Sequence, residues 1–232
     1  MSYLKSTIDK VSEYLDYPFI IGNEPKSIIL NFSDENNPHG CKRKCSYCNW
    51  KSNPLAQQKI YPDWKVLDKY LEDHSGFITL SGGGDPLYNY EQNKEEVHKL
   101  IDYLYDKKLF VRVITRERDN YYKLREKYPY ILGSFSIDSF EEIIITDDEF
   151  IEYSIVLNKN LAEELFKTRF QCCKDVLMVF REPLQTDYKI PLGLRYNIQH
   201  IYKKSEFSTE KLCYEAYYIV GNKILQGYEI FK

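Results

Sequence analysis

Strand-like and helix-like patterns alternate along the middle of the chain, and this alternation constrains the fold more than any other feature. Short apolar runs typical of buried strands are separated by segments whose apolar residues recur every three or four positions. The predicted strands cover residues 27–33, 77–81, 109–115, 131–138, 151–158 and 175–180. Such alternation favours a parallel sheet with right-handed crossovers. Six strands are too few for a closed eight-stranded barrel, so we expect an α/β fold built as a partial (β/α)6 barrel of the TIM type.

The two ends of the chain carry other patterns. Residues 1–26 predict an N-terminal helical segment, because apolar residues from Ile8 to Leu15 are spaced as on one helix face. Residues 27–185 form the predicted core. In residues 186–232, two apolar runs flank Gly221 and Asn222, which predicts a small β-hairpin on a two-residue turn. We expect this C-terminal extension to cap the barrel or close its open edge.

Charge and hydropathy exclude several classes of protein. The 232 residues include 32 Lys and Arg and 35 Asp and Glu, which gives a formal charge of −3. Proteins that coat duplex nucleic acid are usually strongly basic, so this class is not expected. The longest apolar runs have five residues, whereas a membrane-spanning helix needs about 20. The N-terminal segment carries acids and lacks the apolar core of a secretory signal. We therefore expect a soluble cytoplasmic protein without membrane contact.

Three of the six cysteines fall close together, at Cys41, Cys45 and Cys48. They lie in a segment without clear periodicity, residues 34–61, and a loop of that length inside a compact domain is usually functional or disordered. Thiolates bind zinc and iron–sulfur clusters. Three thiolates on one loop can hold three corners of a cubane cluster and leave one iron open. Two alternatives stay open, a zinc site completed by His39 and three buried structural cysteines.

The other three cysteines do not predict a second cluster. Cys172 and Cys173 are adjacent, so their side chains point in different directions on the predicted helix, and Cys213 has no neighbouring cysteine. We interpret Cys172 and Cys173 as residues of a helix face.

A glycine-rich turn, residues 81–86 (SGGGDP), follows the second predicted strand. Glycine lets backbone approach a ligand closely, and an acid in such a turn can accept a hydrogen bond from an ammonium group. In parallel α/β folds the carboxyl ends of the strands meet at one edge, so this turn and the cysteine loop are expected to lie together. The alternative is a plain turn, since glycine runs and Asp-Pro pairs mark turns.

The C-x₃-C-x₂-C spacing, with Tyr47 before the third cysteine and a glycine–acid turn after the next strand, resembles the radical S-adenosylmethionine (radical SAM) superfamily over residues 27–185. The resemblance implies that the three cysteines ligate a 4Fe–4S cluster whose fourth iron is chelated by the amino and carboxylate groups of SAM. Reduction then cleaves SAM to methionine and a 5′-deoxyadenosyl radical, which abstracts hydrogen from a substrate. It also implies a reductant such as flavodoxin or ferredoxin. A small molecule, a nucleotide and a protein all stay open as substrate.

The same resemblance implies individual SAM contacts. Gly83 and Gly84 approach the ligand, and Asp85 stands where the superfamily usually has Glu and accepts from the methionine ammonium. Thr115 with Arg116 meets the SAM carboxylate. The other implied cofactor contacts follow or lie in predicted strands, apart from the aromatic residue in the cysteine loop: Tyr47, Ser136, Asp138, Asn158 and Met178. The alternative for these positions is an ordinary strand end or sheet core.

Two functions from other classes compete with radical chemistry. One is an iron–sulfur protein that transfers electrons or senses redox state, which has no need of the glycine–acid turn. The other is a zinc-stabilised binding protein, which metal analysis and a visible absorption spectrum would distinguish.

Overall fold

The computed structural model describes the chain between residues 26 and 226 with gaps. The described residues are 26–36, 40–42, 54–74, 76–82, 84–137, 139, 142, 148, 150–156, 177–183, 196–201 and 217–226. The predicted N-terminal helical segment, apart from Lys26, and the predicted helix that carries Cys172 lie outside them. Within the described part, no helix is long and apolar enough to cross a membrane.

Strands and helices alternate in the first half of the described chain. Their order is β1 (Lys26–Leu30), α1 (Trp64–Leu71), β2 (Phe77–Gly82), α2 (Tyr90–Asp106), β3 (Phe110–Thr115), α3 (Arg118–Lys127), β4 (Leu132–Ile137), β5 (Ile151–Val156), β6 (Leu177–Pro183), β7 (Tyr196–Ile201), β8 (Tyr217–Val220) and β9 (Lys223–Gln226). A short 3₁₀ turn, Pro54–Gln57, precedes α1. The six predicted strands correspond to β1–β6, with ends that coincide or differ by up to three residues.

All the described strands belong to one sheet, in the order β7-β6-β5-β4-β3-β2-β1-β8-β9. Neighbouring strands are parallel except for the antiparallel pair β8–β9. The predicted α/β class is therefore confirmed. Among the described strands the sheet is open, with β7 and β9 at its edges, and its curvature into a partial barrel stays a prediction.

The C-terminal hairpin is present and extends the sheet. Gly221, at φ +60°, and Asn222 connect β8 to β9, and β8 pairs in parallel with β1. Strand β7 was not predicted, although Tyr196 and Ile198 alternate with Asn197 and Gln199 as on a strand. The domain boundaries after residues 26 and 185 stay predictions.

The helices cover one face of the sheet. In β1–β5, alternate residues contribute to a buried core shared with α1, α2 and α3. On the sheet this core contains Ile28, Leu30, Ile78, Leu80, Val111, Val113, Phe135, Ile137, Ile151, Tyr153 and, from β8, Ile219. The opposite face carries polar residues, among them Thr79, Arg112 and Glu152, where Arg112 donates to Thr79 Oγ1 and lies 3.6 Å from a Glu152 carboxylate oxygen.

Tyr121 of α3 packs this helix against β4. Its ring packs on Gly133, where a Cβ atom would fall 2.5 Å from the ring carbon Cζ. Its buried hydroxyl lies 3.0 Å from the carbonyl oxygens of both Ile131 and Phe150. A glycine in β4 thus makes room for an aromatic ring whose polar end is satisfied by backbone.

We expect Tyr121→Phe to lower the free energy of unfolding by roughly 1–3 kcal/mol, because a buried acceptor loses its donor. Urea unfolding measures this change. The matched variant Tyr122→Phe removes the same hydroxyl from a ring that is 43% exposed, and should change stability by less than about 0.5 kcal/mol. Equal losses in the two variants would contradict the assigned role of the Tyr121 hydroxyl.

Candidate functional site

The cysteine loop, residues 34–61, starts after β1, and its last residues pair with Asn31 at the carboxyl end of β1. Asn31 N donates to Ile60 O at 3.0 Å, and Ile60 N donates to Asn31 O at 2.8 Å. The Asn31 side-chain amide donates to Gln58 O at 2.8 Å. These contacts close the base of the loop at the carboxyl edge of the sheet. Tyr47, Cys45 and Cys48 lie in it but outside the described residues, whereas Cys41 is described and half-buried.

The residue before Cys41 touches the glycine-rich turn. Gly40 has φ +60°, which favours glycine, and a Cβ there would fall 1.9 Å from Asn31 Oδ1. A Cβ on Gly84 would fall 2.6 Å from the carbonyl oxygen of Gly40. Real side chains do not fit at such distances, so both positions need glycine. The structure thus brings the entry of the cysteine loop against the turn, as predicted from the parallel strand order.

Two further hydrogen bonds hold the segment after the turn. Asn89, which precedes α2 at φ +54°, donates to Asp34 at 2.8 Å and so ties this segment to the start of the cysteine loop. Asn120 of α3 donates to Leu87 O at 2.9 Å. Hydrogen bonds to the loop after β1 and to helix α3 therefore hold the segment after the turn in place.

Asp85 joins the end of β2 to the end of β3. The residue is 5% exposed. Its Oδ1 accepts from Leu87 N at 2.9 Å and from the Thr115 hydroxyl at 2.6 Å, and its Oδ2 accepts from Arg116 N at 2.5 Å. The Thr115 hydroxyl in turn accepts from Glu117 N at 2.9 Å. The structure thus brings the predicted site residues Asp85, Thr115 and Arg116 together. The described hydrogen bonds of the Asp85 carboxylate all come from donors of the protein.

Burial raises the pKa of the Asp85 carboxyl to about 6 from its ordinary value of 3.8, although the donors Thr115, Arg116 and Leu87 lower it. Desolvation outweighs three hydrogen bonds because burial disfavours the charged form of the carboxyl. The carboxyl is therefore ionised at pH 7 and takes up a proton in mildly acidic solution.

This shift predicts a pH dependence of stability. The folded protein binds the proton near pH 6 and the unfolded chain near pH 4, so the stability contributed by protonation is present below pH 4 and is lost as pH rises through about 6. The amide of Asp85→Asn does not titrate. Relative to this variant, the wild-type free energy of unfolding should decrease as pH rises from about 4 to about 6. The exposed Asp119→Asn is the control. An equal pH profile for wild type and Asp85→Asn would contradict the assigned shift.

A pocket of about 220 Å³ opens beside Asp85, at the carboxyl ends of β3 and β4. Its lining residues are Arg116, Arg118, Phe135, Ser136, Ile137 and Glu142. Arg116 donates to the Glu142 carboxylate at 3.1 Å, and Arg118 donates to the Glu142 carbonyl at 2.6 Å. The predicted residues Arg116 and Ser136 therefore line one pocket. Sequence reasoning missed Arg118 and Glu142, although the charged run after β3 (RERD) lies at the edge where ligands bind.

The remaining predicted contacts are less defined. Gly83, Asp138 and Asn158 lie outside the described residues. Met178 is in β6, where its backbone pairs in register with Tyr153 of β5. Among the described residues, no group of three or more metal-ligating side chains occurs, and two of the three clustered cysteines are not among them. The roles of all these residues stay predictions.

The chain is similar to a curated enzyme. It is 22% identical over 199 residues to the probable dual-specificity RNA methyltransferase RlmN of Clostridium botulinum (strain Alaska E43 / Type E3). This similarity supports membership of the radical SAM superfamily. The match covers 80% of this chain and 54% of that protein, so this chain spans about half the length of its relative. No family model matches it, and no solved structure matches it.

Proposed function

We propose that this protein is a radical SAM enzyme in which Cys41, Cys45 and Cys48 hold a 4Fe–4S cluster that cleaves SAM. The observation that carries the proposal is the contact between Gly40 and Gly84, which sets the first cysteine beside the glycine–acid turn. When bound and reduced, the cluster supplies the electron that splits SAM into methionine and a 5′-deoxyadenosyl radical.

The donor set fits such a cluster. Thiolates are the usual ligands of iron–sulfur clusters. Lys42, Arg43 and Lys44 separate the first two cysteines, and neighbouring cations lower thiol pKa values and favour an anionic cluster. Because residues 40 and 84 are glycines, no side chain separates the backbone of the cysteine loop from that of the turn. Cys41 is half-buried at this junction.

Asp85 has two proposed tasks. It positions Thr115 and Arg116, because its carboxylate accepts from both residues and so fixes the end of β3. A carboxylate offers about four acceptor sites, and the described donors from Leu87, Thr115 and Arg116 use three. We assign the fourth to the methionine ammonium of SAM. Ser136, which lines the neighbouring pocket, is proposed to contact the SAM ribose or carboxylate.

We take the first substrate class to test from the name of the relative. The name of that protein states RNA, which favours a nucleotide over a small metabolite or a protein as the first substrate class to test. Flavodoxin or ferredoxin as reductant and a cytoplasmic location complete the proposal.

The direct test of SAM binding is electron paramagnetic resonance of the anaerobically reconstituted, reduced protein. SAM at saturation should change the spectrum, because the ligand occupies the open iron. An unchanged spectrum would contradict the proposal and favour an iron–sulfur electron carrier.

A further inference from the structure

The pocket at the ends of β3 and β4 presents a guanidinium group in a fixed orientation. Arg118 Cζ lies 5.1 Å from the ring centroid of Phe135 and 5.7 Å from that of Tyr153. Both rings are 1% exposed, so they form a rigid platform. Cation–π contact and the hydrogen bond to Glu142 O hold the guanidinium at the pocket wall. Arg118 is therefore preorganised rather than a solvated surface side chain.

The charges of the pocket do not cancel. Its lining contains two guanidinium groups and one carboxylate, so its formal charge is 2 − 1 = +1. The Glu142 carboxylate accepts from Arg116 Nη2 and from Ser139 N. Arg118 donates only to the Glu142 main-chain oxygen within the described part of the chain, and a guanidinium has five N–H donors. Glu117 and Asp119 flank Arg118 in sequence but do not line the pocket.

We propose that Arg118, on the wall of this pocket, binds an oxyanion of the substrate, a phosphate or a carboxylate, whereas Arg116 and Ser136 in the same lining serve SAM as proposed above. The planar fork of Arg matches both anions bidentately. The inference rests on the proposed function, which assigns the SAM carboxylate to the cluster iron and to Thr115 with Arg116. Arg118 lies two residues further along, at the first residue of α3, and lines the same pocket as Arg116.

The test measures binding of inorganic phosphate and of acetate to the reconstituted protein by titration calorimetry, at constant ionic strength in chloride. Arg118→Gln should weaken binding of the preferred anion at least about tenfold, the effect of losing a charge-assisted hydrogen bond. Arg118→Lys keeps the charge without the fork and should lie between wild type and Arg118→Gln. Lys123→Gln is the matched control, because it removes one positive charge from the exposed side of the same helix, and should bind like wild type.

The two anions distinguish the two substrate groups. Tighter binding of phosphate assigns the site to a phosphate-bearing substrate, and tighter binding of acetate assigns it to a carboxylate. Equal weakening by Arg118→Gln and Lys123→Gln, or no saturable binding in wild type, would overturn the inference. So would displacement of phosphate by SAM together with a tenfold loss of SAM affinity in Arg118→Gln, which would make this the SAM carboxylate site.

Failure of the proposed function can be distinguished from failure of the oxyanion site. Iron content and the response of the cluster to SAM are measured on the same preparations. Protein that binds phosphate through Arg118 but holds no iron would contradict the radical SAM proposal and leave the oxyanion site in place.

Discussion

Replacing Cys41, Cys45 or Cys48 with Ala is expected to abolish the iron–sulfur cluster. The parent protein should bind about four irons after anaerobic reconstitution and show a broad absorbance near ~400 nm, as thiolate-ligated clusters do. Each single variant removes one of the three thiolates on the loop, and a cubane held by two protein ligands should not survive desalting. Iron and sulfide analysis with a visible spectrum measures the loss.

The matched control replaces the other three cysteines together. The variant with Ala at Cys172, Cys173 and Cys213 should keep its iron, because an adjacent pair and a distant single cysteine do not predict a second cluster. Loss of iron in this triple variant, with iron retained in the loop variants, would show that the ligands were assigned to the wrong cysteines.

Gly84→Ala is expected to remove most of the iron without unfolding the protein. The new Cβ would fall 2.6 Å from the carbonyl oxygen of Gly40 and 2.8 Å from Asn31 Oδ1. Backbone cannot yield as a flexible side chain does, so the segment that leads into Cys41 must shift. Overpacking of this kind typically costs 1–3 kcal/mol in stability, and here the shift also displaces a cluster ligand. Iron per folded protein is the quantity to measure.

Gly133→Ala separates this effect from general destabilisation. Its Cβ would fall 2.5 Å from the Tyr121 ring, so the steric conflict is comparable, but it lies in the core between α3 and β4. We expect a similar loss of stability with unchanged iron per folded protein. Equal iron loss in both glycine variants would mean that the contact between Gly40 and Gly84 has no particular role in holding the cluster.

The sequence predicts the sheet well wherever local pattern and tertiary burial agree. Strands β1–β6 are apolar and bounded by turn signals, and the Gly221–Asn222 pair marks the hairpin, so all of them were recognised. Strand β7 carries Asn197, Gln199 and His200, and its weak alternation gave too little signal. That β8 pairs with β1 also lies beyond local reasoning, since the pairing joins the two ends of the chain.

The sequence predicts where the site lies in the fold, but not the hydrogen bonds and ion pairs within it. Parallel strand order was enough to bring the cysteine loop, the glycine–acid turn and Thr115 to one edge of the sheet. The donors that surround Asp85 were not foreseeable, because the Thr115 hydroxyl lies 30 residues further along the chain. The pairing of Arg116 with Glu142 is missed for the same reason, since it is fixed by the fold and not by spacing.

The yield of 5′-deoxyadenosine is the decisive measurement for the proposal that this chain cleaves SAM with a cluster held by the cysteine loop. Anaerobically reconstituted protein is reduced with dithionite, supplied with SAM and assayed for 5′-deoxyadenosine and methionine, with the iron-free Cys45→Ala variant in parallel. We predict that the wild-type protein forms both products and that the variant forms neither. A wild-type preparation that holds its full iron and still yields no 5′-deoxyadenosine would contradict the claim.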